Sequence, residues 1–80
     1  MDYLRKISII IEKIESAGKG DLGEEVSILR DNSFSSSELL MSVTHSLNRF
    51  MTNDNVVKDA IESDVIELRE YCWSIGLAVQ

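Results

Sequence analysis

Two side chains of this sequence are candidates for chemistry by their type, because His45 is the single histidine and Cys72 the single cysteine. A histidine that acts as a general base needs a positioned partner and a pocket. If this segment is a helix, His45 lies opposite its apolar stripe, beside Ser42 and Arg49. These neighbours provide neither a positioned partner nor a pocket. We therefore expect a solvated surface histidine. The alternative is an enzyme with an undetected site, which requires a pocket holding His45 with a carboxylate.

Cys72 lies on the apolar stripe of the last predicted helix. Free cysteine is among the most buried residue types and usually packs as a small hydrophobe, whereas a nucleophilic cysteine needs an electropositive, accessible setting. Glu67 and Glu70 are close in sequence, and their charges are expected to raise the pKa of the thiol. We therefore expect Cys72 in the core. A lone cysteine cannot form an intrachain disulfide, which favours a reducing compartment.

The sequence lacks the short motifs that hold a phosphate or a metal ion. The Gly-Lys-Gly-Asp stretch at 18–21 is not preceded by the strand of a phosphate-binding loop, and we interpret it as the end of a helix. The Asn-Asp-Asn stretch at 53–55 is too short for a calcium loop of about 12 residues. One histidine and one cysteine do not supply the usual ligands of structural zinc. The sequence therefore predicts no enzyme activity, no cofactor and no metal site.

The composition narrows the classes of partner. The chain has 80 residues, with 14 Asp and Glu against 8 Lys and Arg, and a formal net charge of −6 at pH 7. Nucleic acids and anionic membranes attract clustered Lys and Arg, so neither is expected to bind. The longest apolar run, 9–11, is far shorter than the roughly 20 residues of a membrane span, and the N-terminus lacks the apolar region of a signal peptide. We predict one soluble, cytoplasmic domain over residues 1–80.

Apolar residues recur at helical spacing in four segments. The predicted helices cover residues 2–17, 22–31, 36–51 and 56–75. Asp21 with Glu24, and Ser35 with Glu38, have the spacing of a capping box at a helix start. Gly76 is placed to end the last helix, with Leu77 making the apolar contact that often accompanies such an end.

The helical spacing also predicts which side chains form the core. Helix by helix, the predicted core faces are Leu4, Ile7, Ile11 and Ile14; Leu22, Val26 and Leu29; Leu39, Leu40, Val43, Leu47 and Phe50; and Val57, Ile61, Val65, Leu68, Cys72 and Ile75. No segment alternates at period two for long enough to predict a strand. The connections are short, so consecutive helices should pack antiparallel. The predicted fold is an all-α bundle of three long helices and a short second one.

The last predicted helix carries a second face that is not part of its core stripe. This outer face consists of Asp59, Glu62, Ile66, Glu67, Glu70 and Trp73, with Glu67 at its edge. An apolar pair among acidic residues is unusual for a purely solvated surface. Tryptophan often anchors protein interfaces, and opposite charge speeds the encounter with a basic partner. The outer face is therefore the predicted partner-binding site.

Two other interpretations of the outer face remain open at this point. In one of them, the short second helix or the tail of residues 77–80 folds over Ile66 and Trp73. Trp73 would then be an ordinary core residue. A homodimer would bury the same face against a second copy. The sequence does not choose among these arrangements.

Two stretches carry a resemblance to known proteins: Ser-Glu-Leu-Leu at 37–40 with Val43, Leu47 and Phe50, and residues 68–77. Together they resemble small acidic helical immunity proteins of bacterial polymorphic toxin systems, including contact-dependent growth inhibition. The resemblance implies a non-catalytic cytoplasmic protein that binds and neutralises one toxin domain, which is basic when the toxin is a nuclease. No diagnostic residue is carried over.

The alternative function is a self-associating helical regulatory or structural protein, of an antitoxin-like or phage type. The oligomeric state separates the two hypotheses. A monomer favours the immunity hypothesis, whereas a dimer that persists at every concentration favours the alternative.

Overall fold

The computed structural model describes residues 1–79, so Gln80 of the predicted tail lies outside the described residues. Within the described part, the chain is all-helical, with four helices and no strand. They are α1 (Tyr3–Ser16), α2 (Gly20–Asn32), α3 (Ser36–Asn53) and α4 (Asn55–Ser74). Their lengths are 14, 13, 18 and 20 residues. The all-α fold class is thus confirmed, but α2 is nearly as long as α1.

The junction between α1 and α2 differs from the predicted one. Gly18 ends α1 with a φ of +82°, a conformation that glycine adopts at little cost. Its N–H donates to the Glu15 carbonyl, and the Lys19 N–H donates to the Ile14 carbonyl. The chain then re-enters a helix at once, so α2 begins at Gly20 with Lys19 as its N-cap and without a side-chain cap. The predicted cap at Asp21 is wrong because the turn leaves Asp21 inside the first helical turn.

Gly23 lies at the contact between α2 and α1. By propensity it weakens α2, but it is buried against α1. A Cβ at this position would lie 2.8 Å from Cγ of Glu15. The crowded atom belongs to the flexible side chain of Glu15, whereas the backbone carbonyl oxygen of Ile11 would lie 3.7 Å away, which is an ordinary contact.

The starts of α3 and α4 are both capped by a side chain, and that of α3 is the predicted one. Ser35 Oγ accepts a hydrogen bond from the Glu38 N–H at the start of α3. Asp54 is the single residue between α3 and α4. Its N–H donates to the Phe50 carbonyl, while its carboxylate accepts from the N–H groups of Val56 and Val57. One aspartate thus ends one helix and starts the next.

The end of α4 also follows the prediction. Gly76 has a φ of +86°, and the Leu77 N–H donates to the Cys72 carbonyl at 2.9 Å. Leu77 packs against the core, as expected for this type of helix end. Ile75, which was predicted in the core stripe, is instead 50% exposed because it follows the last helical turn.

The four helices pack in a ring in which each helix contacts two others. α1 contacts α2 and α4, and α3 contacts α2 and α4, so that α1 lies diagonally across from α3 and α2 from α4. Most predicted core residues are buried, including Cys72. On α1 the prediction needs correction: Ile10 is fully buried, whereas Leu4 is 48% exposed. No helix in residues 1–79 is long and apolar enough to cross a membrane.

Candidate functional site

A buried carboxylate, which is not among the predicted site residues, holds the side of α4 that faces α1. Asp64 accepts from Lys6 Nζ at 3.1 Å and from Lys13 Nζ at 2.6 Å. Its side chain is only 9% exposed, so the two ammonium groups replace most of its hydration. The spacing contained a signal for it, because Asp64 falls between Ile61 and Leu68 on the core stripe. A charged residue at that position needs a partner.

The charges of this cluster stabilise one another. Burial alone works to raise the pKa of Asp64, but the hydrogen bonds from Lys13 and Lys6 outweigh it and the pKa lies below its ordinary value. The pKa of Lys6 is raised, first by its hydrogen bond to Glu67 and then by the bond to Asp64. Both shifts favour the charged forms, so α1 and α4 are joined by an ionised network.

Glu67 belongs to this network rather than to the rest of the predicted site. Its carboxylate accepts from Lys6 Nζ at 2.5 Å, on the side of α4 that faces α1. At about 100° per residue, Glu67 points well away from Glu62 and Trp73. The structure therefore pairs Glu67 with Lys6 at the edge of the outer face, and the other five predicted residues lie along one side of α4.

The five remaining residues of the outer face are exposed along one side of α4. They are Asp59, Glu62, Ile66, Glu70 and Trp73. Ile66 is 43% exposed and Trp73 is 55% exposed. Among the acids, Glu62 forms a loose ion pair with Lys58, at 3.6 Å and one helical turn away. An ion pair of this kind contributes little and is easily exchanged for another partner.

The open question of what covers Trp73 has a definite answer in the described residues. α2 lies diagonally across the bundle from α4 and does not reach the outer face. The tail does reach it, because the Trp73 indole Nε1 donates to the Val79 carbonyl at 2.9 Å. Val79 also packs against the core. The tail therefore holds one edge of the indole while more than half of the side chain stays accessible.

The excess negative charge is not confined to α4. Six of the eight Lys and Arg side chains take part in ion pairs within the described chain, leaving Arg5 and Arg69 outside them. Eight acidic side chains have no ion pair there. These acids are Asp2, Glu12, Glu15, Asp21, Glu24, Glu38, Asp59 and Glu70. Acidity alone therefore does not single out α4, whereas the exposed Ile66 and Trp73 do.

The two candidates for chemistry are apart from the outer face. His45 is exposed on α3, where it lines a groove with Arg49, Thr44 and the tail residue Val79. Cys72 is fully buried, and burial raises the pKa of its thiol, rather than the glutamates invoked from the sequence. Within residues 1–79, no group of three or more His, Cys, Asp or Glu side chains is placed to hold a metal ion.

Comparison with known proteins adds no relative to this description. No family model matches the chain, and neither a curated protein nor a solved structure matches it.

Proposed function

We propose that this chain is a non-catalytic binding protein whose outer face captures and neutralises a basic protein partner. The single observation that carries the proposal is the exposed pair Ile66 and Trp73, one heptad apart on α4 and bordered by Asp59, Glu62 and Glu70. Aromatic and aliphatic side chains supply most of the binding energy of an interface. The surrounding carboxylates select a positively charged surface and exclude acidic ones.

The immunity proteins of bacterial polymorphic toxin systems supply the most specific form of this proposal. In that form, the partner is a toxin domain, basic when it acts on nucleic acid, and the chain works in the cytoplasm of the cell that it protects. The lone buried cysteine suits a reducing compartment. The net charge of −6 favours fast, salt-sensitive association with a basic domain.

The packing supports a rigid presentation of the outer face. We infer that α1 and α2 are antiparallel, because Glu15 lies beside Gly23 while Arg30 donates to Ser8 Oγ, in reversed order along the two helices. The buried cluster around Asp64 then fixes the rotation of α4 about its axis. A rigid helix face loses little conformational freedom on binding.

The experiment begins with the protein encoded by the neighbouring reading frame. That protein, purified, is titrated with this chain in a calorimeter, and its toxicity is measured in cells with and without this chain. Binding with protection supports the proposal. Absence of both, with a neighbouring protein shown to be folded and toxic, contradicts the immunity form.

The contribution of the apolar pair has a matched control on the same helix. Ile66→Ser removes the exposed side chain at the centre of the outer face and should weaken binding about tenfold or more. Val56→Ser removes a side chain of similar exposure in the first turn of α4 and should leave affinity unchanged. Equal losses in the two variants would place the interface elsewhere.

A further inference from the structure

A second exposed apolar region lies at one end of the bundle and is not part of the outer face. Phe34, in the turn between α2 and α3, is 96% exposed, more than any other large apolar side chain in the described chain. Met1, Leu4 and Ile75 are each about half exposed. These four residues are called the apolar end below. Exposed apolar side chains that cluster mark interaction surfaces.

The contacts of Tyr3 place these residues at the same end. The Tyr3 hydroxyl is hydrogen bonded to Ser36 Oγ at 2.7 Å, and its ring stacks on Tyr71 with 5.9 Å between centroids. The starts of α1 and α3 and the last turns of α4 therefore meet there. Leu4 follows Tyr3 directly, and Phe34 is two residues before Ser36.

Three charged residues at the apolar end have no ion pair within residues 1–79: Asp2, which is the N-cap of α1, Arg5 and Glu38. Arg5 in the first turn of α1 and Glu38 in the first turn of α3 are both exposed. They have opposite charge and lie on helices that are diagonal to each other.

We propose that the apolar end binds a second copy of this chain in a two-fold symmetric dimer. A two-fold axis along the diagonal that joins α2 and α4 exchanges the positions of α1 and α3. Arg5 of one copy then faces Glu38 of the other, twice in the dimer. The same operation brings Phe34, between α2 and α3, towards Leu4 on the α1 of the other copy. The arrangement thus pairs the opposite charges of Arg5 and Glu38 and brings the apolar side chains of Phe34 and Leu4 together.

The size of the end determines how strong this association is. The bundle measures 32 × 23 × 20 Å. Its cross-section limits the contact of each copy to at most about 460 Å², against roughly 800 Å² per partner in a standard interface. The dimer therefore dissociates on dilution. It also leaves Glu62 and Ile66 in the middle of α4 open, so this inference does not depend on the proposed function.

Sedimentation of the purified chain alone tests the dimer. We expect the average mass to rise from one chain towards two as the concentration increases from micromolar to about 1 mM. Phe34→Ser, and separately Leu4→Ser, should raise the dissociation constant at least about tenfold. Val56→Ser, an exposed position in the first turn of α4, should not. A monomer at every concentration, or association that Phe34→Ser leaves unchanged, overturns the inference.

Charge exchange tests the arrangement within the dimer. Arg5→Glu and Glu38→Arg should each weaken self-association, because each places like charges opposite one another. A mixture of the two single variants restores both pairs in the mixed dimer and should associate more tightly than either alone. If the mixture associates no better than the separate variants, this two-fold arrangement is wrong.

Discussion

Lys6 and Asp64 are 58 residues apart in the chain, yet Lys6 Nζ lies 3.1 Å from the Asp64 carboxylate. Lys13 binds the other oxygen of the same carboxylate from two turns further along α1. This contact fixes which side of α4 faces α1. The opposite side, with Ile66, Glu70 and Trp73, is thereby directed to solvent.

The first prediction concerns the strength of this contact. Asp64→Asn keeps the shape of the side chain but removes its charge, leaving Lys13 without its partner and Lys6 with Glu67 alone. Because hydrogen bonds to charged groups contribute more than neutral ones, the free energy of unfolding should fall by about 1–3 kcal/mol. Urea unfolding followed by circular dichroism measures the change. Asp59→Asn, which removes an exposed carboxylate, is the control and should change stability little. Equal stability of the two variants would show that the buried cluster contributes nothing.

The pH dependence of stability follows from the same carboxylate. The folded-state pKa of Asp64 lies below its ordinary value of 3.8, so the ionised form is favoured by folding. The ionised Asp64 carboxylate contributes fully to the free energy of unfolding at pH values well above 3.8. This contribution is lost as the pH falls through the lower folded-state pKa. The pKa of Asp54 is lowered too, mainly by Lys19, and adds in the same direction.

Unfolding measured at a series of pH values from about 6 down to about 2 tests this expectation. The free energy of unfolding of the native chain should decrease with acidification. Asp64→Asn should show a shallower decrease over the same range, since one of the contributing carboxylates is missing. Parallel pH profiles for the two chains would be inconsistent with a lowered pKa at Asp64.

Much of the fold was predictable because helical periodicity and capping are local. Ser35 was recognised as a cap because an N-cap acts on N–H groups two or three residues away. The buried face of α1 was less predictable, because Leu4 and Ile10 are each three residues from Ile7 and both fit the helical spacing. Contact with both α2 and α4 decides between them, and that contact is not local.

The outer face was predictable in part for the same reason. Helical geometry alone places Ile66 and Trp73 on one side of α4. The diversion of Glu67 to Lys6 and the hydrogen bond from Trp73 to Val79 depend on α1 and on the path of the tail. Phe34 gave no periodic signal because it lies in a turn, and its exposure follows from packing.

The accessibility of Trp73 gives a further prediction, since it is the only tryptophan of the chain. Its fluorescence should be quenched readily by acrylamide, because more than half of the side chain is exposed. Ending the chain after Leu77 removes the Val79 carbonyl and should increase the quenching constant. Ending it after Val79 keeps the hydrogen bond and serves as the control. Equal quenching in both shortened chains would mean that the tail does not hold the indole.

The central claim is that the outer face binds a basic partner, and charge reversal tests it most directly. Glu62→Lys with Glu70→Lys changes two acids on the outer face. Glu12→Lys with Glu24→Lys makes the same change of net charge on α1 and α2, outside that face. Circular dichroism should show equal helicity in both double variants.

The decisive measurement is the rate of association with the purified neighbouring-frame partner, followed by stopped-flow fluorescence at low and high salt. The account predicts that Glu62→Lys with Glu70→Lys slows association by about tenfold or more at low salt and reduces its salt dependence. The control pair on α1 and α2 should retain most of the native rate. Association at the native rate by the outer-face variant, or an equal loss in the control, would contradict the claim.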